Sequence, residues 1–282
     1  MRLALAALAV VAGGCVVVGE VAVSPRPSRV GDPPPGLDAE SVAVPVPIGP
    51  PLAGWWVPAL DGAPGVVLLH GLGADRRQHL GRAQMLTDAG YAVLLVDLPG
   101  HGESPGRHVG YGWSERDAAA AAVGFMRRRR PRTRVGVVGV SLGGAAAVLA
   151  GRALNADALV LESVYPTFEA AVGNRARGVA GPLARSVTAA LLAQTRPRLG
   201  VPPDSLRPVD AIRRTAVPVL VAGGAEDPWT PPAETRALYD AARGPKALWL
   251  VEGAGHQDLL AAAPDAYRRH VLGFLDRHLA RR

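Results

Sequence analysis

The chain is poor in the residues that announce metal or redox chemistry. Cys15 is the single cysteine among 282 residues, so no intrachain disulfide can form, and no Cys/His set stands at zinc-site spacing. Lysine is just as scarce: Lys246 is the only one, and the other 30 of the 31 basic residues are arginine. A net charge of +7 would suit a polyanionic partner, yet the arginines are scattered along the chain. The one cluster, Arg127 to Arg130 with Arg132 and Arg134, falls where a helix is expected to end, against the negative end of its dipole and solvent. No nucleic-acid partner is therefore expected. No internal repeat is visible either.

What is abundant is apolar: 49% of the residues are hydrophobic and 20% charged, enough to bury a sizeable core and to exclude wholesale disorder. Met1-Arg2 leads into an uninterrupted apolar run from Leu3 to Gly19, closed by Glu20. That length is generous for a signal h-region and at the lower limit of a membrane span. Residues 1–23 thus read as a signal or anchor segment, with three fates open. It is retained as an anchor, cleaved as a secretory signal, or processed at Ala12-Gly13-Gly14-Cys15, which resembles a lipobox with alanine where leucine is usual. A buried structural cysteine is the plain alternative for Cys15. A membrane-associated location, with export as one of the open fates, is expected unless cleavage releases the chain. Residues 24–40, rich in Pro, Gly and charge, read as an extended linker, and residues 41–282 as the folded domain.

Within that domain the stretch Val135 to Gly144, VGVVGVSLGG, organises the rest. A β-branched run ends in Gly139-Val140-Ser141-Leu142-Gly143 and passes at once into an Ala-rich segment. This predicts a buried strand that breaks through a sharp turn into a helix, with Ser141 at the tip. Such a turn wants glycine two residues before and two after the serine, because strand and helix backbones close to contact there.

Around this core, Ser41 to Val57 predicts an edge hairpin and Val66–Leu69 a buried strand ending in His70-Gly71-Leu72-Gly73. A helix is expected over Arg76–Asp88, a strand over Ala92–Val96, and a tight turn at Asp97-Leu98-Pro99-Gly100-His101-Gly102. Ser114 is expected to cap a helix running to Arg129, with Asp117 in the acidic slot of the capping pair. Strands follow at Ala158–Leu161, Val217–Val221 and Ala247–Val251, helices at Pro232–Ala242 and from Pro264 to about Ala280. This alternation predicts βαβ units and a largely parallel sheet with helices on both faces. From 165 to 208 the rhythm stops, and two helical patterns, Phe168–Val179 and Leu183–Gln194, read as a lid or as ordinary crossover helices.

Ligands of such sheets sit at the carboxyl ends of strands, where His70, Asp97, Ser141 and Glu162 fall. An acid, Asp227, follows one later strand and a histidine, His256, the next. The chain order Ser, Asp, His is one that acyl transfer uses. Asp227 could instead be a turn residue before Pro228, with Glu162 supplying the acid. His70 and His101 fit the turn motifs, while His79, His108, His270 and His278 read as surface residues.

His70-Gly71, Asp97 to Ser104, Gly139 to Gly143, Gly224 to Asp227 and Gly255-His256 together resemble the α/β-hydrolases. More narrowly, they resemble membrane-associated bacterial serine hydrolases of esterase or lysophospholipase type, over roughly residues 42 to 280. The resemblance implies Ser141 as nucleophile, His256 as general base and then acid, and Asp227 holding the imidazole. It also implies an oxyanion hole built from the backbone N–H groups of Leu142 and Leu72. Tyr165 and Trp229 would line the acyl pocket or simply pack in the core. No metal and no cofactor are required. The substrate implied is a small-molecule or lipid acyl ester. A peptidase acting on N-termini is disfavoured, since Glu169 and Asp204 are the only acids between Tyr165 and Pro208 to meet a free amine. A non-catalytic binding module is the remaining alternative. Dehalogenases and epoxide hydrolases of this fold place an aspartate where this chain has Ser141.

Overall fold

The computed structural model describes residues 14–280. Its frame is an eight-stranded sheet built from β1 (Glu40–Val44), β2 (Leu52–Val57), β3 (Gly65–Leu69), β4 (Ala92–Val96), β5 (Val135–Val140), β6 (Ala158–Glu162), β7 (Val219–Gly224) and β8 (Lys246–Val251). The spatial order is β8-β7-β6-β5-β3-β4-β2-β1. Strands β3 to β8 run parallel, and the β1–β2 hairpin closes one edge antiparallel. The central strands are near-continuous Val/Leu runs because both faces are covered. Val67 and Leu69 pack into the core on one face with Ala118, Met126 and Ala145. Val66 and Leu68 pack into the other with Leu86, Tyr267 and Leu275. This is the α/β-hydrolase fold, mostly parallel with helices on both faces.

Helices fall close to the expected places: α1 (Leu80–Asp88), α2 (Glu115–Arg129), α3 (Leu142–Leu149), α4 (Phe168–Ala180) and α5 (Ala184–Leu192). Four differences stand out. Arg76–His79 is a 3₁₀ turn leading into α1, and the closing helix carries a π-helical turn over Arg268–Leu272. Strand β7 starts at Val219 rather than Val217, since Pro218 has no N–H for the ladder, and extends to Gly224 by pairing with Val251. The expected capping pair of α2 does not form. Ser114 makes no side-chain cap, and buried Glu115, not exposed Asp117, accepts the Gly110 and Gly112 amides, both at 2.8 Å.

The arginine cluster is less solvated than its composition implies. Arg130 is buried and donates to the carbonyls of Ala59 and Ala63 at 3.0 and 3.2 Å. Arg127 holds Asn155 O and Asp157, and Arg134 holds His278 O at 2.6 Å. His79, expected on the surface, is fully buried at the start of α1.

Residues 24–40 are tied down along the domain. Arg26–Pro27 pair in parallel with His101–Gly102, Ser28 donates to Asp75 at 2.8 Å, and the Gly31 amide donates to Glu103 at 2.9 Å. Ahead of them, residues 14–23 form a helix. No helix of the described residues is long and apolar enough to cross a membrane. Most of the apolar run Leu3–Gly19 lies outside the described residues, and there the structure does not address the anchor and signal readings.

Candidate active site

Ser141 sits between the end of β5 and the first turn of α3 with φ 47° and ψ −106°, a backbone conformation that costs a non-glycine residue about 1–3 kcal/mol. The surrounding glycines make this turn possible. A Cβ on Gly139 would lie 2.6 Å from Gly144 Cα, and one on Gly143 would run into Leu69 O at the end of β3. Gly139 thus lets strand and helix meet as expected, whereas Gly143 answers to the neighbouring strand. The Ser141 amide donates to Glu162 O at 2.8 Å and its carbonyl accepts from Ala145 N at 2.9 Å, so the turn is fixed on both sides.

Asp227 lies in the loop after β7 and is 2% exposed. Its Oδ1 accepts the amides of Trp229 and Thr230, both at 2.8 Å, and its Oδ2 meets His256 Nδ1 at 2.7 Å. All three partners point the carboxylate one way, and an Nδ1–H donated to it leaves Nε2 as the free, basic nitrogen of the ring. The Trp229 ring lies 5.1 Å from the imidazole, and the Arg175 guanidinium lies 5.1 Å from the indole. Ser141, Asp227 and His256 follow β5, β7 and β8 at the carboxyl rim of the parallel strands.

Glu162 is engaged elsewhere. It binds Arg82 Nη2 at 2.6 Å and the Tyr267 hydroxyl, and Arg82 also pairs with Asp258 at 2.9 Å. This buried cluster ties α1 and β6 to the residue two places beyond His256, so Glu162 is not the acid behind that ring.

The His70 turn is built by burial. His70 Nδ1 donates to Gly71 O at 2.8 Å and Nε2 accepts the Leu98 amide at 2.9 Å, while its ring packs edge-on to His101 at 5.1 Å. Complete desolvation pushes the His70 pKa down to about 3, which keeps the ring neutral and the Leu98 bond intact. Asp97 accepts Arg76 N at 2.7 Å and Glu103 N at 2.9 Å and pairs with the Arg76 side chain. These contacts lock together the turns after β3 and β4, and with them the position of Leu72.

The Leu72 amide has no acceptor among the described residues, and Leu142 opens α3, where the first amides lack an intrahelical carbonyl. Trp229 lies against His256 and is 46% exposed. Tyr165 is core: it is buried, and its hydroxyl donates to Tyr111 O at 2.8 Å. Among the described residues no three His, Cys, Asp or Glu side chains gather as a metal site.

An apolar cavity of about 480 Å³ adjoins Leu72 and is walled by lid helices α4 and α5, Tyr111 and the N-terminal helix. Sequence reasoning pointed to the lid but not to Tyr111, Arg175 or the N-terminal helix as parts of this wall. The available signal was the spacing of Cys15, Val18 and Ala22, which share one helical face.

The fold and site place the chain among the α/β-hydrolases. It belongs to the Alpha/beta hydrolase family, whose sequence profile matches residues 66–270. Two bacterial relatives are described as uncharacterized proteins. YqkD of Bacillus subtilis is 26% identical over 248 residues, covering 85% of this chain and 80% of that protein. Rv2307c of Mycobacterium tuberculosis is 32% identical over 237 residues, covering 83% and 77%. Among solved structures, the Pyrococcus furiosus esterase Pf2001 superposes with a TM-score of 0.74 at 22% identity, covering 91% of this chain and 99% of that one. An esterase from Thermogutta terrifontis gives 0.61 at 19% identity, covering 86% and 100%. These two likenesses are likenesses of fold.

Proposed function

We propose that the protein is a serine hydrolase that cleaves carboxylic ester or thioester bonds through an acyl-enzyme. The observation that carries this reading is the 2.7 Å bond from His256 Nδ1 to a buried, amide-held Asp227, at the same strand rim as a serine held at positive φ on an elbow.

In the first half-reaction Ser141 Oγ bonds to the carbonyl carbon as its proton passes to His256 Nε2. The carbonyl oxygen becomes an oxyanion stabilised by the Leu142 and Leu72 amides, each worth about 3 kcal/mol of the barrier. The intermediate collapses by breaking the bond to the alcohol or thiol, which leaves with the proton from Nε2. Water then attacks the acyl-serine, giving its proton to the same nitrogen, and collapse releases the carboxylic acid and restores the Ser141 hydroxyl. Asp227 keeps Nδ1 protonated and stabilises the imidazolium in both halves.

Turnover of p-nitrophenyl acetate and butyrate tests the reading. Ser141→Ala and His256→Ala should each abolish it; turnover retained by either variant would end the proposal.

We also propose that the protein works at a membrane surface. Supporting this are the apolar run from Leu3 to Gly19 and the exposed apolar side chains of Val17 and Val21 on the N-terminal helix and of Val179 and Leu183 on the lid. Sedimentation with the membrane fraction of expressing cells, resistant to high salt, is expected; recovery in the soluble fraction would contradict it.

A further inference from the structure

The cavity beside Leu72 has a wall that the lid alone does not supply. Residues 14–23 lie across the lid as a helix, with Cys15, Val18 and Ala22 lining the cavity and Val17 and Val21 facing out. Polar bonds fix this helix at both ends. Gln194 Nε2 donates to Cys15 O at 3.1 Å and Arg198 Nη2 to Val16 O at 2.9 Å, with an ion pair between Arg198 and Glu20. Tyr111 Oη donates to Ala22 O at 2.9 Å and the Val109 amide to Val23 O at 2.8 Å. Gly19 lies so close to the lid that a Cβ there would meet Gln194 Oε1 at 2.5 Å.

We propose that this helix is a working wall of an acyl-chain site, so that the protein takes esters of medium and long acyl chains and keeps residues 14–23 in its active form. The proposal rests on the serine-hydrolase reading above. The occupant is a hydrocarbon chain for two reasons. Arg175 is the only charged residue among those lining the cavity, and it is drawn off over the Trp229 ring. Leu72, whose amide is the candidate oxyanion donor, also lines the cavity, which puts a connection to the reacting carbonyl within the proposal. The polar cleft of about 640 Å³ on the other face of α4, with Glu169, Asn174, Arg177 and Glu234, lacks that connection. Cleavage of the N-terminal segment beyond residue 23 would open the site to water; cleavage before Cys15 would leave the wall standing.

The test uses the full chain and p-nitrophenyl acetate, butyrate, octanoate and dodecanoate. Each methylene that enters the cavity should raise kcat/KM by about fourfold, and Ala22→Trp or Val18→Trp, which fill it, should lower the dodecanoate-to-acetate ratio by about tenfold or more. A wild-type profile that stops rising at butyrate, or a ratio unchanged in a folded variant, would overturn the proposal. Absence of all ester turnover in the wild type would instead sink the serine-hydrolase reading. A second measurement does not need the variants. A fluorophosphonate with a dodecyl chain ending in a diazirine, seated on Ser141, should on irradiation crosslink to peptides containing residues 14–23 or 168–191. Crosslinks confined to other peptides would contradict the proposed wall.

Discussion

At the scale of single residues, the site is held by side chains that have few alternatives. Asp227 accepts from two backbone amides and one imidazole, so Asp227→Asn keeps the shape but can offer His256 Nδ1 an N–H where an oxygen stood. The ring would then carry its proton on Nε2 and lose its base. Ester turnover should fall by about 10⁴-fold with little change in stability, the size of loss a wrong tautomer causes in other such sites. A loss under about tenfold in kcat would show that Asp227 does not orient the ring.

His70 makes a different prediction. Its buried ring is neutral, with a pKa pushed down to about 3 from an ordinary 6.5, while the unfolded chain takes up a proton near 6.5. Stability is therefore complete above about pH 6.5 and declines as pH falls toward 3, by up to about 1.4 kcal/mol per pH unit. Burial lowers the pKa values of His79 and His101 as well, which adds in the same direction. Urea midpoints at about pH 7.5 and 5.0 check this; equal midpoints would contradict it.

At the scale of elements, the loop carrying His256 hangs from a neighbouring helix. Asp258 caps the turn Leu259–Ala262 and pairs with Arg82 of α1, which is itself clamped by Glu162 at the end of β6. Arg82→Met would leave Glu162 buried without its cation and should cost about 3–5 kcal/mol, measurable by urea unfolding. Asp258→Asn is the gentler probe, because Asp258 is partly exposed. It should lower kcat several-fold with KM nearly constant, since only the loop that positions His256 is loosened. An unchanged kcat would show that Arg82 serves stability alone.

The elements also show why some of them could be read in advance. Strands β3 to β6 are short apolar runs rich in Val and Leu, buried on both faces, a pattern few other structures produce. The two β7 boundaries differ in origin: Pro218, visible in the sequence, delays the strand, whereas pairing with Val251 prolongs it. The α2 cap depended on loop amides at Gly110 and Gly112 folding back onto Glu115, and a local spacing rule cannot carry that contact.

At the scale of the molecule, the parallel alternation and the order of Ser141, Asp227 and His256 were legible, because each follows its own strand. Non-local contacts were not. Residues 24–40 have a linker's composition, yet they pair with the turn after β4. The arginine cluster reads as a solvated helix end, yet Arg130 is a buried tie to the β2–β3 loop carbonyls. His79 is the residue immediately before α1, and nothing local marks it as buried. The N-terminal helix, read as a signal or anchor, lies against the lid through bonds to residues some 180 positions away.

The measurement that most directly tests the nucleophile at the elbow is covalent. The full-length protein is treated with a fluorophosphonate, digested, and the adduct is located by mass spectrometry. One adduct on Ser141, absent from Ser141→Ala and formed far more slowly in His256→Ala, is the expected result. An unlabelled protein, or an adduct on another serine that persists in Ser141→Ala, would contradict the assignment of Ser141 as the reactive group.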